Sequence, residues 1–180
     1  MNPPPIGEGL SVGWNTLKTN VSVLAVPFLC AIILNFIPIV GGFFAMPGML
    51  LVSLKILRGQ TPEANDGFVG FQAFMDNLMM GILQIAGALL CCIGAVITQA
   101  LFIPGSLLIV DKGLGWSDAK DRCLDEIKPN LMAWIIYTFV LGLVGASGMI
   151  LCGIGIFVTL PIATIGWAYA YEQTLGAPRK

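Results

Sequence analysis

The sequence predicts an all-α, polytopic membrane protein: six short transmembrane helices, paired as three repeated hairpins and prefaced by amphipathic helices on the cytoplasmic interface. Three observations carry this expectation. Of 180 residues, 57% are hydrophobic and 11% charged, with a mean hydropathy of +0.88, whereas globular domains carry roughly a quarter charged residues. Three windows hold no Asp, Glu, Lys or Arg: 19–54 (36 residues), 77–110 (34) and 129–171 (43). Finally, Pro47, Pro104 and Pro161 stand 57 residues apart.

Each window is too long for one crossing. A membrane-spanning helix takes about 20 residues, and 36 residues at about 1.5 Å each would reach roughly 54 Å, far beyond a core of about 30 Å. Each window also has a turn signal near its middle: Pro38-Ile39-Val40-Gly41-Gly42, then Gly94, then the stretch 145–155 with four glycines. Single crossings would split the nine Lys and Arg residues five against four. Hairpins put all nine on one side, the positive-inside pattern, with both termini in the cytoplasm.

The first unit, about 6–60, opens with a weak amphipathic run of Ile6, Leu10, Trp14 and Leu17, and its apolar arm starts at residue 21. The segment before it has no basic region and no small-residue cleavage site, so it does not read as a removable signal. The second unit, about 61–116, opens on Thr61-Pro62-Glu63: a capping hydroxyl, a first-turn proline and an early carboxylate. An amphipathic set of Phe68, Phe71, Phe74, Met75 and Leu78 follows, suited to headgroup depth. The third unit, about 117–175, begins at Ser117-Asp118. It sets Ala119, Cys123, Leu124 and Ile127 opposite Asp121, Arg122, Asp125 and Glu126.

The repeat is written around the prolines, with Met46-Pro47-Gly48-Met49-Leu50-Leu51 against Ile103-Pro104-Gly105-Ser106-Leu107-Leu108 and the more distant Leu160-Pro161-Ile162. Asn20 and Asn77 stand 27 residues before their prolines and Asn130 stands 31 before its own, which makes the third first-arm about one turn longer. Arms of about 16 residues reach roughly 25 Å, short of a full core unless Lys18, Lys55 and Asp111 snorkel. A reentrant hairpin is therefore the competing form for the first two units. The repeat prolines either break helices around a site or bend short arms so that they pack about one axis; the second fits better.

Candidate chemistry is sparse. The chain has no His, hence no common general base or metal ligand, and no cofactor is expected. Cys30, Cys91, Cys92, Cys123 and Cys152 form no CxxC pair and read as buried thiols. A bridge among Cys91, Cys92 and Cys152 is conceivable only on an oxidising far side. Neither Gly7-Glu8-Gly9 nor Gly113-Leu114-Gly115 precedes a Gly-Lys-Ser/Thr, so no phosphate loop is present. Within the windows the polar side chains are few, and Asn35, Gln84 and Gln99 are the candidates to line a cavity. For Gln84 an interhelical hydrogen bond is the plainer role. The pairs Gly142/Ala146, Gly148/Cys152 and Gly166/Ala170 permit close helix approach.

Gly13-Trp14-x3-Lys18-x-Asn20, Leu57-Arg58-Gly59, the Pro-Gly pairs and Ile127-Lys128-x-Asn130 together resemble uncharacterised bacterial six-helix integral membrane proteins. These are similar to the membrane domain fused to some glycerophosphodiester phosphodiesterases. The resemblance implies a multi-pass protein of the bacterial cytoplasmic membrane and supplies no catalytic residue. The expected function is a non-enzymatic membrane scaffold or accessory subunit that packs with itself or with a larger membrane complex. The alternative is a small transporter or lipid-handling protein with a cavity between the hairpins. Membrane lipids are the expected surroundings, and near-zero net charge gives no reason to expect nucleic acid.

Overall fold

The structure, a computed structural model, describes residues 2–35, 44–89, 92–150 and 155–176. Every regular element among them is helical. In order they are α1 (Ile6–Asn35), α2 (Met46–Leu57), a 3-10 turn (Ala64–Phe68), α3 (Val69–Gln72), α4 (Phe74–Leu89), α5 (Cys92–Lys112), α6 (Trp116–Ile127), a second 3-10 turn (Lys128–Asn130), α7 (Leu131–Ile150), α8 (Ile156–Tyr171) and a π-turn (Glu172–Gly176).

Two helical stretches are long and apolar enough to cross a membrane, Gly94–Lys112 and Trp116–Met149. The pair Asn65–Gln72 and Phe74–Gly87, bent by 80°, makes a third only if counted as one broken span. One expected turn shifts: Gly94 lies inside α5. The third falls within its expected stretch of 145–155, since α7, which takes in Gly145 and Gly148, ends at Ile150 and α8 begins at Ile156. The expected turn at 38–42 lies outside the described residues.

Small residues set the packing. A Cβ on Gly87 would overlap the Thr98 side chain and one on Gly105 would overlap Met80, so α4 and α5 lie antiparallel in close contact. On α7, Gly145 meets Ala163 and Gly148 meets Gly155 and Ile156, while the Thr159 hydroxyl donates to the Gly145 carbonyl (3.0 Å). α1 passes α8 with Gly13 on the Ile162 carbonyl and meets α7 with Gly9 against the Tyr137 hydroxyl. The core between α2, α5, α7 and α8 is filled by Leu50, Leu54, Leu107, Leu108, Trp134 and Leu141. Outward stand Val21, Val26, Leu29 and Ile33 on α1, Ile82 and Ile85 on α4, and Met132, Ile136, Phe139 and Leu143 on α7. Such apolar outer faces are compatible with a lipid surrounding.

The three amphipathic prefaces take three geometries. In the first, α1 continues through a kink at Asn20 (φ −120, ψ 22), the position where the sequence places the preface–arm boundary; the Asn20 side chain donates to the Thr16 carbonyl (3.0 Å). The second folds back along α2: a Cβ on Gly48 would strike the Gly67 carbonyl, and one on Gly70 the Phe44 carbonyl. Phe71 and Phe74 stack on Phe44 at 4.9 and 4.8 Å while both rings stay exposed. The third runs through Lys128–Asn130 into α7 as one 34-residue helical stretch. Of the face read from the sequence it buries Ala119, Cys123 and Ile127 and half-buries Leu124, and it exposes Asp121 and Asp125. At its start the Trp116 amide donates to Asp76 Oδ1 (2.9 Å). Asp76→Ala is expected to cost about 1 kcal/mol, a capping loss, read as a lower melting temperature in detergent with unchanged helix content.

The repeat prolines differ in position. Pro47 sits in the first turn of α2, where no donor is lost, while Pro104 and Pro161 lie inside α5 and α8 and leave both helices unbroken. With 12 residues, α2 is about 18 Å long. Its two ends meet the same end of the α4–α5 pair: Arg58 reaches Asp111, and Phe44 reaches Phe74, the residue that the Gly87–Thr98 and Met80–Gly105 contacts place opposite Asp111. A helix whose two ends meet one end of a hairpin lies across it.

Candidate functional site

Two places bring polar groups together. The first joins the ends of α2, α5 and α8. Arg58 Nη1 donates to Asp111 Oδ1 (2.5 Å) and Nη2 to Oδ2 (3.1 Å), while Nε and Nη2 donate to Glu172 Oε2 (3.0 and 2.7 Å). The Tyr171 hydroxyl adds a bond to Asp111 Oδ2 (2.9 Å). These bonds to Asp111 and then Glu172 hold the Arg58 guanidinium above its usual pKa, because each stabilises the charged form. Alongside, Lys112 Nζ donates to the Leu175 and Gly176 carbonyls (3.0 and 3.1 Å) and Arg122 Nη2 to Leu175 (3.2 Å). Both oxygens of Asp111 are engaged by the cation and the phenol, so the cluster is chemically a clamp: it holds helix ends and leaves no carboxylate oxygen of Asp111 open. Tyr169 ties in α1 by donating to Glu8 Oε1 (2.5 Å).

The second place is a groove of about 300 Å³ between α5, α7 and α8, bordered among others by Gln99, Thr138, Gly142, Ala146 and Trp167. Phe139, Leu143 and Ala146 on its rim are exposed, so it opens on the flank of the bundle. Trp167 is only 6% exposed, yet its Nε1 has no hydrogen-bond partner among the described residues. Gln99 is exposed, and its amide makes no hydrogen bond among the described residues.

Comparison with family models, curated proteins and solved structures gives no match. The geometry and the residues therefore carry the functional reading.

Of the candidate cavity residues whose side chains are described, the groove takes Gln99 and not Gln84. Gln84 stands half-buried on α4 and does not border it, and the side chain of Asn35, the last residue of α1, lies outside the described residues. Cys123 is a free, fully buried thiol; Cys91 and Cys152 lie outside the described residues, and nothing is described of the Cys30 and Cys92 side chains. No three His, Cys, Asp or Glu side chains come together as a metal-holding group among the described residues. Sequence reasoning missed the clamp, although a signal for it existed: Arg58 and Glu172 each stand eleven residues after a repeat proline. Nothing in the sequence marks Trp167 or Thr138.

Proposed function

We propose that this is a multi-pass membrane protein of three repeated hairpins, with its charged face and both termini in the bacterial cytoplasm, acting as a non-enzymatic scaffold or accessory subunit. The Arg58 clamp carries the topological part. Arg58 follows the first charge-free window, Asp111 the second and Glu172 the third. Single crossings would put Asp111 on the opposite side of the membrane from the other two, but all three meet within hydrogen-bond distance. Each window then enters and returns on one side.

In this reading α4–α5 and α7–α8 traverse the bilayer, while the first hairpin dips and returns, since α2 is short and lies across the α4–α5 pair. The scaffold role is supported by the apolar filling between α2, α5, α7 and α8 and by the outward position of the groove. A solute path through the middle, as the transporter alternative needs, has less support.

In a cysteine-free background, Gly59→Cys is expected to react with a membrane-impermeant maleimide only from the cytoplasmic side. Gly41→Cys is expected to stay unlabelled from outside, and labelling there from outside converts the first hairpin into a full pair of spans. The scaffold role is tested by gentle extraction and native mass measurement, which should return the chain in fixed stoichiometry with itself or another membrane protein. A monomer carrying a small solute overturns it.

A further inference from the structure

We infer that the α5/α7/α8 groove is the contact face for a second copy of this chain, with the Gln99 amides of the two copies hydrogen-bonded across it. The inference rests on the membrane reading above and adds a partner and a residue to it.

Gln99 lies twelve residues before Asp111 on α5, so it stands about 18 Å below the clamp, deep inside a hydrocarbon layer of about 30 Å. There an exposed amide without a partner is costly, because lipid tails offer neither donor nor acceptor. The occupant that relieves it carries a polar group at the same depth. A second copy does so by construction. An amide both donates and accepts, so two Gln99 side chains related by a twofold axis satisfy each other.

The wall beside Gln99 is shaped for a helix. Nothing lies within 4 Å of a Cβ placed on Gly142, and Ala146 follows one turn later on the groove. The other small-residue positions are already occupied within the chain: Gly148 meets Gly155 and Thr159, Gly166 meets Leu141, and Ala170 is buried. Gly142/Ala146 thus remains free for close approach from outside. The Trp167 side chain closes the same wall from inside; its indole N–H, without a partner among the described residues, is buried beneath the surface, so the amide of Gln99 is the polar group this wall leaves open.

The test uses the full-length protein in mild detergent, with dimer dissociation followed by light scattering on dilution. The wild type is expected to dimerise. Gln99→Leu should weaken the dimer by about tenfold, Gln99→Asn should largely retain it, and Gly142→Leu, which fills the groove, should abolish it. Because Gln99 is exposed, Gln99→Leu leaves the fold intact and decides the matter even if Gly142→Leu misfolds. A wild type that stays monomeric overturns the inference, as does a dimer indifferent to Gln99→Leu. A monomer that retains a phospholipid lost on Gly142→Leu also overturns it and makes the groove a lipid site. Capture of a different membrane protein, lost on Gln99→Leu, overturns self-pairing while leaving the scaffold role standing.

Discussion

Arg58→Leu is expected to destabilise the protein by about 2–3 kcal/mol, between the value of an exposed ion pair and that of a buried one. The Asp111 side chain is 10% exposed and Glu172 33%, so loss of the guanidinium leaves one carboxylate nearly sealed beneath the surface. Among the described residues that carboxylate then keeps only the Tyr171 hydroxyl as a hydrogen-bond donor. Arg58→Lys should recover less than half of the loss, since an ammonium cannot reproduce the two-pronged bond to Asp111 together with the bonds to Glu172. The double variant Arg58→Leu, Asp111→Leu should be more stable than Arg58→Leu alone, because it removes the stranded charge along with its partner. Thermal unfolding of the detergent-solubilised protein reads all three. An Arg58→Leu protein as stable as the wild type would sink the clamp as a structural device.

Gly48→Ala is expected to be as damaging, at about 3 kcal/mol, although it adds a single methyl group. That methyl would occupy the place of the Gly67 carbonyl. Backbone cannot rotate away as a side chain can, so α2 and the folded-back preface must separate. Alanine's better helix propensity, about 1 kcal/mol over glycine, offsets only part of this. Gly142→Ala is the matched control: its Cβ meets nothing within 4 Å, so it should be neutral or slightly stabilising in the monomer. Equal melting temperatures for Gly48→Ala and Gly142→Ala would contradict the close approach of α2 to the preface.

Much of the organisation was legible in one dimension. The kink of α1 falls on Asn20, where the sequence separates preface from arm, and of the α6 face read from its spacing Ala119, Cys123 and Ile127 are buried and Leu124 is half-buried. Both rest on contrast: where polar and apolar residues alternate at helical period, the pattern carries a phase and the phase names the face. Inside the windows that contrast is missing. Almost every residue of α5, of α8 and of α4 within its charge-free window is apolar, so no phase says which way Gln84, Gln99 or Trp167 points. In space Gln84 does not border the groove that Gln99 shares with Thr138 and Trp167.

The sequence by itself determined that the chain is helical, that it is suited to lipid, and that its charged groups cluster outside three apolar windows, because burying an unpaired charge in hydrocarbon is too costly for any fold to permit. Only the tertiary structure decided that Arg58 holds Asp111 and Glu172 together, that α2 lies across its neighbours, and that a flank groove is left open beside Gln99. Those depend on the angles at which helices cross. The angles are set where glycines such as Gly48, Gly70 and Gly105 let specific surfaces touch, and an apolar run carries no record of which neighbour each glycine will meet.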